Sequence, residues 1–137
     1  MPTPERPVLL DTHALLWWKA GSDRLSDDAA GRIGTAPGIL ISPISAWETA
    51  MLVQKRRVQL DRPVADWIDD VLADDRIEPA ALTATIAVAS AGLEDFHGDP
   101  ADRFLVATAR ALGVAMVTKD RSIHDYAART EGFDVVW

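Results

Sequence analysis

Four acidic residues, Asp11, Glu48, Asp102 and Asp120, stand where an apolar run ends or a helix begins, although they are spread across a chain of 137 residues. Carboxylates are the ligands that hard cations such as Mg2+ and Mn2+ prefer. Gathered without a cation they raise one another's pKa, so a fold that assembles them is suited to holding a metal. A divalent ion can lower the pKa of a water, orient the nucleophile and offset charge on a phosphodiester during in-line displacement. The chemistry such a set would serve is metal-assisted phosphodiester hydrolysis. Each acid also has a plainer reading: Asp11 and Asp120 as helix N-caps, Asp102 as a complement to a helix dipole, Glu48 as a solvated helix residue.

The elements around the acids bear on both readings. Val8-Leu9-Leu10 reads as a short buried strand that ends on Asp11 and Thr12, and Val114-Ala115-Met116-Val117-Thr118-Lys119-Asp120 repeats the arrangement. Glu48 follows a third apolar run, Ile39-Leu40-Ile41, after Ser42-Pro43, an N-cap and a proline at the first helical position. Asp99 can cap a helix that Pro100 starts, which puts Asp102 in its first turn. Strands alternate with helical patterns along the chain, so the expected fold is α/β: one domain over residues 1–137, with a mostly parallel sheet of four or five strands and helices on both faces. In such a sheet ligands bind beyond the carboxyl ends of the strands, where all four acids would meet at one rim.

Further helices are expected over residues 12–19, 26–33, 43–56, a stretch after Asp61-Arg62-Pro63, 85–91 and 99–112. The segment 85–91 is apolar nearly all round and is expected to be buried. Ile77-Glu78-Pro79 reads as an edge strand because of its proline, and Phe133 to Trp137 as the last strand. Residues 1–6 are expected to be a flexible segment.

Composition narrows the class. Hydrophobic residues at 48% and charged residues at 26% are ordinary for a soluble domain, and no apolar run is long enough to span a bilayer. Without a secretory signal, a cytoplasmic location is the expectation. The absence of cysteine excludes disulfides, thiolate metal sites and cysteine nucleophiles. The formal charge of −7 argues against a non-specific electrostatic grip on nucleic acid. The three histidines form no metal-ligand spacing, although His13 and His97 neighbour the acids.

The order strand-Asp, helix-Glu, Asp-Pro-x-Asp-Arg, strand-Thr-x-Asp resembles the PIN-domain family, in particular the VapC-type toxins of bacterial toxin-antitoxin systems. The resemblance runs from about Val8 to Trp137. It is carried by Leu9-Leu10-Asp11-Thr12-His13-Ala14-Leu15-Leu16-Trp17-Trp18, Ser42-Pro43-Ile44-Ser45-Ala46-Trp47-Glu48, His97-Gly98-Asp99-Pro100-Ala101-Asp102-Arg103 and Val117-Thr118-Lys119-Asp120. It implies that Asp11, Glu48, Asp102 and Asp120 form a metal-binding quartet in a Mg2+- or Mn2+-dependent ribonuclease. It also implies RNA as substrate, a small cognate antitoxin as inhibitor, and a homodimer.

Thr12 and Thr118 lie beside the acids and are expected to hydrogen-bond a carboxylate or a metal-bound water, or else the local backbone. Asp99 is a helix cap or an extra ligand. Arg103, Lys119 and Arg121 flank the acids and are candidates to hold RNA phosphates, with solvated charge as the alternative. Lys55-Arg56-Arg57 either extends that track or complements a helix C-terminus. Trp17 and Trp18 are adjacent, so one of them is a candidate exposed anchor for a partner. Two other functions fit the same residues. One is a nuclease acting on DNA or structured RNA in processing or repair; the other is a binding module whose acids are only caps.

Overall fold

The structure, a computed structural model, describes residues 6–137. Strand β1 (Val8–Leu10) is wholly buried and forms the centre of a five-stranded sheet. It pairs on one side with β2 (Ile39–Ile41), Leu9 opposite Leu40, and on the other with β4 (Ala115–Val117), Leu9 opposite Met116. Outside these lie β3 (Ile77–Pro79) beside β2 and β5 (Val135–Val136) beside β4, giving the order β3-β2-β1-β4-β5. All four pairings are parallel, so the expected mostly parallel sheet is fully parallel, and the proline-bearing strand is at an edge.

The strands are short continuous apolar runs because both faces are covered. Alternation along β1 divides the core. Val8 and Leu10 face one cluster, with Leu15 and Leu16 of α1 (Thr12–Ala20), Ile33 of α2 (Asp27–Thr35), and Trp67 and Val71 of α4 (Val64–Leu72). Leu9 faces the other, with Leu105, Val106 and Ala109 of α6 (Pro100–Leu112), and Ile123 and Tyr126 of α7 (Arg121–Arg129). The chain moves outward from β1 to β2 and β3, then returns to the other side of β1 for β4. The crevice where the order reverses therefore opens between the carboxyl ends of β1 and β4.

Helix α7 follows Asp120, which the sequence marks only as a cap, and two other helices depart from expectation. Helix α3 (Pro43–Gln54) stops before Arg56, because Lys55 is its C-cap and Arg56 takes a left-handed φ of 59°. Its buried face is polar, Ser45 and Thr49, and Trp47 stands 56% exposed. Helix α5 (Ala84–Ala91) is not the buried helix its composition implies: only Ile86 and Ser90 are buried, and Val88 is 74% exposed. It packs one side on α6; alanine loses little by facing water, so apolar residues all round did not imply burial all round. Of the N-terminal segment expected to be flexible, residues 1–5 lie outside the described residues, while Arg6 Nη1 donates to the Gly113 carbonyl at 3.1 Å. Among the described residues no helix is long and apolar enough to cross a membrane.

Candidate metal centre

Asp11 follows β1 directly. Its backbone N–H donates to Val117 O at 3.1 Å and carries the β1–β4 ladder one step further, so the side chain emerges at the switch point. One carboxylate oxygen accepts from Ala14 N at 2.7 Å and caps α1; the other accepts from the Thr118 hydroxyl. Thr118 Oγ1 in turn accepts from Asp120 N at 3.0 Å, and Asp120 caps α7 through Ser122 N at 2.8 Å. His124 supports this corner from below, its Nε2 2.7 Å from the Thr118 carbonyl. The buried Thr12 hydroxyl donates to Glu48 on α3 and hydrogen-bonds Ser45 Oγ at 3.2 Å. Asp99 caps α6 by accepting from Asp102 N at 2.8 Å, which brings Asp102 into the first turn.

The capping reading and the site reading of the acids therefore hold together, since a carboxylate has two oxygens. Asp11, Glu48, Asp99, Asp102 and Asp120 come from four places in the chain, Asp99 and Asp102 together from the start of α6, and line one cavity of about 490 Å³, with Thr12 in its wall. Electrostatics record the crowding. Burial, reinforced by Asp99, Asp120, Glu48 and Asp11, pushes the Asp102 carboxyl up to about 7 from an ordinary 3.8. Burial likewise raises Asp11, opposed by the hydrogen bonds from Thr118 and Ala14 N. Among the described residues no three acidic or imidazole groups already converge on one ion position. Asp11, Glu48 and Asp120 are each turned toward a local donor. The donor set is oxygen throughout and carries excess negative charge, which fits a hard divalent cation.

The loop before α6 is tightly built around Gly98. A Cβ there would lie 2.3 Å from Cζ of the buried Phe96 ring and 3.1 Å from Asp102 Cβ, so a side chain at this position would displace one wall of the site.

The basic residues sort differently from expectation. Lys119 lines the cavity, its Nζ 5.8 Å from the Trp17 ring centroid. Arg121 is exposed at the start of α7 and does not line it. Arg103, the third candidate phosphate contact, does not line the cavity: its guanidinium donates to the carbonyls of Ser90 (3.0 Å), Leu93 (3.0 Å), Ala91 (3.3 Å) and Phe96, stapling the α5–α6 connection. His13 lines the cavity and stacks near Trp17, whereas His97 is exposed outside it. Trp17 and Trp18 are both partly buried, Trp17 edge-on to Trp137, so the exposed tryptophan is Trp47. Arg24, which belongs to no motif and was not singled out from the sequence, also lines the cavity. It is brought there by the turn that Gly21 makes at the end of α1.

The sheet is fully parallel and gathers acids that follow β1 and β4 and lie on α3 and α6 at its carboxyl edge, and the PIN domain model matches residues 8–129: the chain belongs to the PIN-domain family. Over 120 residues, 87% of this chain and 91% of the relative, it is 37% identical to Ribonuclease VapC22 of Mycobacterium tuberculosis. The fold is shared with VapBC2 from Rickettsia felis, solved bound to a DNA fragment from its promoter (TM-score 0.66, 16% identity, 94% of this chain and 96% of that one). It is shared also with Mycobacterium tuberculosis VapC20, a sarcin-ricin loop cleaving toxin (TM-score 0.67, 16% identity, 88% and 95%).

Proposed function

We propose that this chain is a divalent-metal-dependent endoribonuclease, the toxin of a toxin-antitoxin pair, acting in the cytoplasm. The observation that carries the reading is the meeting of Asp11, Glu48, Asp102 and Asp120, from four separate elements, around one cavity at the sheet's switch point. These four would hold Mg2+ or Mn2+, which when bound supplies an activated water and offsets charge on the scissile phosphodiester. The chain's own groups do the rest. Thr118 and Thr12 fix the orientation of the Asp11 and Glu48 carboxylates. Asp99 lines the same cavity and serves both as cap and as an outer acceptor for ordered water. Lys119 places a cation beside the acids, where a substrate phosphate needs one, and Arg121 extends that charge along the rim.

The relatedness to a ribonuclease over nearly the whole chain favours RNA over DNA as substrate. Solved relatives in toxin-antitoxin complexes, including one from Klebsiella pneumoniae (TM-score 0.64), support a small cognate antitoxin as partner. A homodimer is part of the same proposal. The test is cleavage of a mixed RNA pool by antitoxin-free protein with Mg2+ or Mn2+, with EDTA, and with Asp11→Asn. Asparagine can still cap α1, so the variant should fold while cleavage falls by about 10²-fold or more. Cleavage that survives both EDTA and the substitution would refute the reading.

A further inference from the structure

Beside the acidic cavity lies a second one, also of about 490 Å³, and His13, Trp17 and Arg24 line both. Its size is within the ~300–1,000 Å³ that small-molecule sites occupy. Its character is the opposite of its neighbour's. Lys19, Arg24, Arg57 and Arg62 line it, against Asp61 as the sole acid in its wall, in a chain whose formal charge is −7. Two of these cations are already committed: Lys19 Nζ to Asp74 at 3.2 Å, and Arg62 to Asp61 at 2.9 Å and to Asp70. Arg24 and Arg57 make no side-chain hydrogen bond or ion pair among the described residues.

Both free guanidiniums are mounted on built turns. Gly21 takes φ 63°, Ser22 N closes on Trp17 O at 2.9 Å, and Ser22 Oγ accepts from Arg24 N at 3.1 Å. After α3, Arg56 takes φ 59° and Arg57 N returns to Leu52 O at 2.9 Å. Two guanidiniums with no side-chain partner among the described residues, each on a backbone fixed by its turn, thus line one concave site, with the half-buried Trp17 shared with the acidic cavity.

We infer that this second cavity is a subsite for single-stranded RNA, in which Arg24 and Arg57 hold phosphates flanking the one that enters the acidic cavity. The inference rests on the ribonuclease reading and specifies how that site takes its substrate. A pocket of this size admits unpaired nucleotides and not a duplex face, and an indole wall offers a base a surface of any sequence to rest on. Arg24, shared by both cavities, is the link between phosphate grip and metal centre.

The test is binding of a short fluorescein-labelled oligouridylate, followed by anisotropy in EDTA so that nothing is cleaved. Arg24→Ala/Arg57→Ala should weaken binding about tenfold and make the salt dependence shallower by about 0.7 for each phosphate no longer held. Arg32→Ala, an exposed arginine on α2 that lines neither cavity, should bind as wild type. Lysine at both positions should restore most of the salt slope, which a variant that merely misfolds would not do. No binding by wild type, or equal binding by the double alanine variant, overturns the inference. So does a double variant that binds RNA normally but no longer captures a co-expressed antitoxin, since the groove would then be a protein site. Wild type that binds through Arg24 and Arg57 yet cleaves nothing with Mn2+ would uphold the subsite while refuting the nuclease reading.

Discussion

The interior of the sheet and its carboxyl edge are built by opposite rules. Inside, Val8, Leu9, Leu10, Ile39, Met116 and Val117 pack from both faces with almost no exposure. At the edge, one or two residues beyond the same strands, the buried groups are Asp11, Thr12, Ser42 and Thr118, joined by Ser45 from α3. Burying a polar group costs free energy unless it is hydrogen-bonded, and a carboxylate costs more. The edge meets part of that cost through the Thr118–Asp11 and Thr12–Glu48 bonds. It leaves Asp102 with a raised pKa, and one turn along α3 the buried Thr49 Oγ1 has no partner. The interior stabilises the fold; the edge is tolerated by it, and on the proposed reading a cation would offset its charge.

The largest effect belongs to the interior. Leu9→Ala removes a fully buried side chain from the central strand and should lower unfolding free energy by about 3 kcal/mol, measured by urea denaturation, because the close-packed site can collapse only partly. Next, Thr118→Val keeps the shape at the edge but removes the donor to Asp11. It should cost about 1–3 kcal/mol and weaken metal affinity by about 10–100-fold in a Mn2+ titration. A change in stability without a change in affinity would make Thr118 a fold residue only.

The smallest effect is the most telling, because its sign is reversed. Asp102 is protonated to higher pH in the folded chain, about 7, than at its ordinary 3.8. Between those values the folded state binds more protons than the unfolded one, so metal-free stability falls as pH rises through that window. Asp11 contributes with the same sign. Asp102→Asn should therefore flatten the decline and raise the melting temperature in EDTA above pH ~7, while abolishing cleavage. A variant less stable than wild type there would mean that the edge is not under electrostatic strain.

Much of this contrast was legible in the residues. A buried strand that stops on an aspartate announces both the core and the point where it ends, as Val8–Asp11 does, and β4 repeats the pattern with Asp120 three residues beyond Val117. Ser42-Pro43 and Asp99-Pro100 set the starts of α3 and α6, and with them the positions of Glu48 and Asp102. Side-chain direction was not legible. Arg103 adjoins Asp102 in sequence but lies one helical step around α6, where four carbonyls claim it. Arg24 carries no motif, and reaches the site only through a left-handed turn at Gly21. Helix α5 misled because its alanines suit an exposed face as well as a buried one.

Whether the four carboxylates form one cation site is decided by titrating Mn2+ into the antitoxin-free protein and reading the free ion by electron paramagnetic resonance. Wild type should bind, with affinity falling up to about tenfold per unit as pH drops below ~7 and a proton competes at Asp102, and Asp102→Asn should lose most of the affinity. Equal, pH-independent Mn2+ binding by wild type and Asp102→Asn would contradict it.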